Sequence, residues 1–270
     1  MDLKQARTRI ARAKAAGAGN AARDIEKLCG TLIEKLPRNG SAQTELVWAY
    51  EQLIGVCIDQ GNINYAFHVY QQYLGDCAPA ADPAFDRLYY DGLMATRTAP
   101  TPLKRRDRFY SLVNLFRQTL ALEGQVAECG CFRGLSSYLL CSVLKSAAAG
   151  FDGCIYRIFD SFEGLSVPQA EDAIPGTIAG AEDLRRNTRP GKYAATLETV
   201  KNNLRDFPGI KYFPGWIPRA FPNEPETRYR FVHVDVDIYQ PTRDSIEYFY
   251  PRLAACRTFI EITRHSGHAI

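Results

Sequence analysis

From about residue 109 onward, short runs of β-branched and aromatic residues alternate with segments of helical period, and several of the runs close on a glycine or a carboxylate. Strand, helix, strand in that order specifies a parallel sheet covered by helices on both faces. The expected strands are Gln125–Cys129, Cys154–Phe159, Ile210–Phe213, Arg230–Val236 and Thr258–Thr263. The expected helices are Phe109–Leu122, Ser136–Ala147, Tyr193–Phe207 and Thr242–Tyr250. In an open sheet of this kind ligands bind beyond the carboxyl ends of the strands. The residues that close each strand are therefore the ones to inspect for chemistry.

The chain ahead of this pattern reads as helical. Ile25, Leu28, Leu32, Ile33 and Leu36 recur at helical spacing until Pro37-Arg38-Asn39-Gly40 stops them. Leu46 to Ile58 form a second apolar stripe and Ile63 to Leu74 a third, separated by Asp59-Gln60-Gly61-Asn62. These antiparallel hairpins bear a loose likeness to tetratricopeptide units, and an accessory cap or dimerisation arm is favoured over a peptide-binding groove. Residues 1 to 20 are expected to be a frayed helix or loose tail, with order beginning near Ala22. Four prolines between 75 and 103 give that stretch a linker composition, with one short helix at Phe85 to Met94. The organisation expected is a helical segment and linker over 1–102 and an α/β domain over 103–270.

Composition removes several classes of function. A hydrophobic fraction of 46% with 23% charged residues supports a packed core. Net charge is only +3 and dispersed, which argues against a nucleic-acid partner, and the run Lys104, Arg105, Arg106, Arg108 is read as a solvated helix start. No apolar run reaches the roughly 18 to 20 residues that span a bilayer. Eight cysteines without a CxxC pair, and no visible signal peptide, point to reduced thiols in a cytoplasmic protein. Cys129 and Cys131 are read as small core residues rather than metal ligands.

Three strand ends carry the chemistry. After the first comes Glu128-Cys129-Gly130-Cys131-Phe132-Arg133-Gly134, where glycines let the backbone approach a ligand at the start of a helix. The spacing is not GxGxxG, which demotes a nicotinamide or sugar-nucleotide enzyme. The second strand ends at Asp160, placed either to accept ribose hydroxyls or to cap a helix. The fourth delivers Asp235 and Asp237, which strand alternation puts on one side near the carboxyl edge, where two carboxylates invite a divalent cation. Residues 164 to 192 form a long loop rich in glycine, proline and acids, of the sort that acts as a lid or is mobile.

The succession E-x-G-x-x-x-G, D-S-F-E-G-L at Asp160 to Leu165, F-P-G-W at Phe213 to Trp216 and D-x-D-x-Y-x-x-T at Asp235 to Thr242 resembles the macrocin O-methyltransferase family over about Phe109 to Ile260. The resemblance implies a Rossmann-like class I methyltransferase sheet behind the helical segment. It implies S-adenosylmethionine bound by Glu128, Gly130, Phe132, Arg133, Gly134, Asp160, Ser161, Phe162 and Trp216. It also implies Mg2+ at Asp235, Asp237 and Glu261, with Asp235 catalytic, and a small-molecule acceptor bearing a sugar hydroxyl. A homo-oligomer is compatible with the helical arm. The competing expectation is a non-catalytic protein that keeps the cofactor fold as a binding or interaction module. The departure from the family lies in the fifth strand, where Phe259-Ile260-Glu261-Ile262-Thr263 replaces two consecutive aspartates and only Arg264 to Ile270 follow. The wall that an antiparallel strand pair would build is expected to be missing or supplied by another chain, with His265 and His268 incidental.

Overall fold

The computed structural model describes residues 3–16, 21–38, 43–77, 82–98, 103–169, 172, 189–254 and 259–262. The chain divides into two compact units, one of residues 1–87 with 99–108 and one of residues 88–98 with 109–270.

The first unit is a run of helices: α1 (Leu3–Ala16), α2 (Ala21–Lys35), α3 (Gln43–Asp59) and α4 (Ile63–Cys77), each packed on the one before. Of the frayed helix or loose tail expected ahead of Ala22, residues Leu3–Ala16 form the helix α1, so order begins earlier than expected. Ala6 and Ile10, four residues apart and therefore on one face, are fully buried. A sparse stripe of small apolar residues suffices where a neighbouring helix covers it. The short helix expected at Phe85 to Met94 is present as α5, which runs two residues further at each end, Pro83–Thr96. Pro83 takes the first helical position, and the Asp82 carboxylate accepts the Phe85 N–H at 2.9 Å; both are start signals. Phe85, Tyr89 and Leu93 then bury one stripe. Arg106, expected to be solvated, is buried within the first unit, where it binds the Asp86 carboxylate and lies 5.3 Å over the Phe85 ring.

The second unit holds α6 (Leu103–Arg117) from Phe109 on, followed by β1 (Gln125–Cys129), α7 (Leu135–Ala147) and β2 (Tyr156–Asp160). After these come α8 (Leu197–Asn203), β3 (Lys211–Pro214), β4 (Tyr229–Val234), α9 (Tyr239–Phe249) and β5 (Phe259–Ile262). All pairings are parallel, in the order β3-β2-β1-β4-β5. This is the expected α/β sheet, with β1 where it was expected and the ends of the other strands displaced by one or two residues. The expected helix Tyr193–Phe207 shrinks to α8 because Thr196 caps its start, accepting from Thr199 N–H at 3.2 Å. The other expected helices keep their places with shifted ends, α6 starting directly after Pro102 and α9 at Tyr239.

Successive residues alternate faces. One face sets Ala127, Cys129, Phe159, Val232 and Val234 against Phe249 of α9. The opposite face meets α6 through Phe116, whose ring stands 5.1 Å from that of Phe231. A polar row also crosses the sheet in register, Glu128 beside His233 and His233 beside Glu261. Among the described residues no helix is long and apolar enough to cross a membrane.

Candidate active site at the carboxyl edge of the sheet

Glycine at position 130 is dictated first by the protein itself. Its φ is +80°, and a Cβ there would overlap the carbonyl oxygen of Asp235. Gly130 N–H donates to Phe159 O at 2.9 Å and Asp235 N–H to Cys129 O at 2.8 Å, so the ends of β1, β2 and β4 are laced together at this point. Gly134, also left-handed at φ +88°, lies against Leu204 and begins α7 without a side-chain cap.

Asp160 closes the next stitch. One carboxylate oxygen accepts the Cys131 N–H at 2.7 Å and the other the Phe162 N–H at 2.7 Å, while its carbonyl accepts the Gly215 N–H at 2.9 Å. Loops after β1, β2 and β3 thus converge on one residue. A carboxylate offers about four lone-pair sites, which leaves capacity for further donors. Ser161 stabilises its own turn, its hydroxyl donating to Gly164 O at 3.0 Å and accepting from Glu163 N–H at 3.1 Å.

Three aromatic residues at this edge adopt left-handed backbone: Phe132 at φ 49°, Phe162 at 58° and Tyr193 at 63°. Bulky residues rarely do so, and such positions concentrate where function demands them. Phe132 is 38% exposed and meets Tyr193 edge to face at 5.6 Å. Backbone bonds from Leu165 N–H to Lys192 O and from Gly191 N–H to Leu165 O, both 2.9 Å, hold the Tyr193 segment beside the Ser161 turn. Tyr193 was read as a helix residue, and no signal in its neighbourhood pointed to this place. Trp216, 40% exposed, follows Gly215 at the same edge. Most of the lid expected at 164–192 lies outside the described residues. Within it, the Asp172 carboxylate accepts the Tyr239 N–H at the start of α9, 2.6 Å away.

Two expected ligand-facing residues point elsewhere. Glu128 is fully buried and accepts hydrogen bonds from the Ser136, Ser137 and Tyr156 hydroxyls, with His233 Nε2 at 4.0 Å. Burial pushes its pKa up, against the pull of His233 and the hydroxyls. Its side chain therefore faces the interior and acts on any ligand only through the loop it supports. The Arg133 guanidinium donates through Nε to Thr96 O at 3.1 Å, at the end of α5. Asn203, which sequence reasoning missed, donates to Thr96 O at 3.0 Å and to Arg133 O at 2.9 Å.

The alternation argument for Asp235 and Asp237 is corrected, since β4 ends at Val234. The chain then turns, with Asp237 at φ 62° and Ile238 N–H donating to Val236 O at 2.7 Å. Both aspartates are half-buried just beyond the strand. Among the described residues no three His, Cys, Asp or Glu side chains form a group able to hold a metal ion. The Glu261 side chain lies outside the described residues, although its backbone is level with His233. Asp235 and Asp237 could supply one or two of the roughly six oxygen ligands of a magnesium ion, which commonly takes the remainder from water and substrate. Cys129 and Cys131 are buried, and burial holds both thiols protonated, as expected of core residues.

The sequence profile of the macrocin-O-methyltransferase (TylF) family matches residues 100–262. The chain belongs to that family. A Streptomyces olivaceus relative, 8-demethyl-8-(2,3-dimethoxy-alpha-L-rhamnosyl)-tetracenomycin-C 4'-O-methyltransferase, is 28% identical over 197 residues, covering 72% of this chain and 71% of that protein. Demethyldecarbamoylnovobiocin O-methyltransferase of Streptomyces niveus is 24% identical over 135 residues, 48% of this chain and 49% of the relative. The solved O-methyltransferase NovP superposes with a TM-score of 0.46 at 20% identity, covering 57% of this chain and 63% of NovP. The calicheamicin methyltransferase CalS11 gives 0.44 at 19% identity, covering 68% and 79%. As a macrocin O-methyltransferase family member, the protein is an enzyme of methyl transfer to oxygen.

Proposed function

We propose that this chain transfers a methyl group from S-adenosylmethionine to a sugar hydroxyl of a glycosylated small molecule, at the carboxyl edge of β1, β2 and β4. The observation that carries the reading is Asp160, whose carboxylate binds the β1 loop and its own turn while keeping acceptor capacity. The name of the Streptomyces olivaceus relative, which specifies a rhamnosyl compound, supports a sugar hydroxyl as acceptor.

S-adenosylmethionine, when bound, supplies an electrophilic methyl carbon on a sulfonium that leaves as a neutral thioether. The chain's part is to hold and align the reactants, which lowers the barrier by removing translational freedom. The Gly130–Gly134 loop and Asp160 would hold the nucleoside, with Asp160 accepting from the ribose. Phe132, Tyr193 and Trp216 would wall the cleft against water. Asp235, half-buried and fixed to β1 through its N–H, would take the hydroxyl proton as the oxygen bonds to the methyl carbon. As the family resemblance implies, Asp235, Asp237 and Glu261 would hold magnesium, which would polarise the acceptor hydroxyl.

Calorimetry with S-adenosylhomocysteine tests the reading. Micromolar binding is expected, weakened at least about tenfold by Asp160→Ala, the loss of one or more charge-assisted hydrogen bonds. A titration repeated with magnesium and with Asp237→Ala tests the metal. Failure of the wild type to bind under every condition would withdraw the assignment of the cofactor.

A further inference from the structure

We propose that Asn203 is a positioning residue for the cofactor loop, clamping the Arg133–Gly134 peptide and the last turn of α5 into one arrangement; this rests on the cofactor reading above. Asn203 ends α8 and is 8% exposed. A carboxamide has two N–H donors, and both are used here, on Thr96 O at 3.0 Å and on Arg133 O at 2.9 Å. Arg133 Nε returns to the same Thr96 oxygen at 3.1 Å, so three hydrogen bonds close a ring through Thr96, Arg133 and Asn203.

That oxygen belongs to the final turn of α5, whose carbonyls lack partners within the helix. The helix ends in a left-handed Arg97 at φ 50°, with Thr98 N–H donating to Leu93 O at 3.0 Å. This closure satisfies Leu93 but not Thr96, so the Thr96 carbonyl relies on the cofactor loop and on α8. Leu204 adds the second restraint, since a Cβ on Gly134 would lie 3.1 Å from its Cδ1. Consecutive residues thus grip consecutive loop positions, Asn203 the Arg133 carbonyl and Leu204 the Gly134 backbone. The segment that presents Phe132 is thereby held at both flanks, by Asn203 through the Arg133 carbonyl and by Asp160 through the Cys131 N–H.

Asn203→Asp keeps the shape and removes both donors; Asn203→Leu replaces the amide by an apolar group of similar size. Both variants are compared with the wild type and with Glu198→Ala, an exposed control on the same helix, by S-adenosylhomocysteine calorimetry, which reads dissociation constant and stoichiometry separately. The expected result is a dissociation constant raised about tenfold at full stoichiometry, the worth of about one hydrogen bond, with the control unchanged. A purely structural role would lower stoichiometry and leave the constant of the folded fraction unaltered, and that outcome overturns the proposal. Absence of binding by the wild type overturns the cofactor reading itself, whereas wild-type binding with both variants within about twofold overturns only the positioning role. If neither variant folds, hydrogen exchange on the wild type decides: S-adenosylhomocysteine is expected to protect residues 92–98 together with 130–136, and protection of 130–136 alone overturns it.

Discussion

Gly130 and Gly150 form a matched pair for asking what the cofactor loop tolerates. Both have φ +80°, but a Cβ on Gly130 would overlap the Asp235 carbonyl, whose carbon is 2.9 Å away, while one on Gly150 would meet nothing within 4 Å. Alanine at either position forces a left-handed L-residue, at about 1 to 2 kcal/mol. At Gly130 the overlap with rigid backbone adds about 1 to 3 kcal/mol, as overpacking does in cores. Gly130→Ala should therefore cost about 2 to 5 kcal/mol in all and Gly150→Ala about 1 to 2 kcal/mol. At about 2 to 4 °C per kcal/mol for a unit of this size, the Tm of the first variant falls by at least about 4 °C. Urea unfolding of both variants, with S-adenosylhomocysteine calorimetry alongside, measures the difference. Gly150→Ala should bind as the wild type does, and Gly130→Ala should not. Equal destabilisation within about 0.5 kcal/mol would refute the steric argument and return Gly130 to an ordinary turn glycine.

Two further outcomes follow from buried and half-buried carboxylates. Glu128 has a raised pKa in the folded protein, so its protonation stabilises the fold below the unfolded value of about 4.3 and that stabilisation is lost as pH rises through the raised folded value. Glu128→Gln removes this dependence; urea midpoints compared at about pH 5 and about pH 8 should shift in the variant's favour at the higher pH, and a constant difference would contradict the sign. Asp235→Asn should lower kcat by roughly 10² to 10⁴, the usual worth of a general base, while S-adenosylhomocysteine affinity stays within about twofold. A single-turnover assay with unchanged rate would remove Asp235 from proton transfer.

The five strands and their parallel sheet were legible because such a sheet announces itself through apolar runs, several of which end in a small or acidic residue. Asp160 and the Gly130 loop were found by that rule. What escaped was set by contacts distant in the chain. The partners of Glu128 sit 8, 9 and 28 residues away, so nothing local revealed that its carboxylate turns inward. Tyr193 takes its place from loop geometry that has no periodic signature, and the partners of Asn203 lie 70 and 107 residues away. Asp235 and Asp237 were misjudged because alternation was extended past Val234, where the chain had already turned. The burial of Ala6 and Ile10 depended on a neighbouring helix that covers a weak stripe, which local composition does not report.

The polar row across the sheet has a consequence for how the strands find one another. Runs such as Phe231 to Val234 are apolar enough that several alignments against β1 would bury comparable area, and parallel strands carry no hairpin turn to index them. Glu128 beside His233 supplies the missing index. A slip of one residue would turn these groups toward the apolar face that holds Ala127 and Val232, and a slip of two would part the carboxylate from its imidazole in a dry interior. The same glutamate that anchors the first turn of α7 thus makes misaligned sheets costly, and the register it enforces is what brings Gly130, Asp160 and Asp235 to one edge.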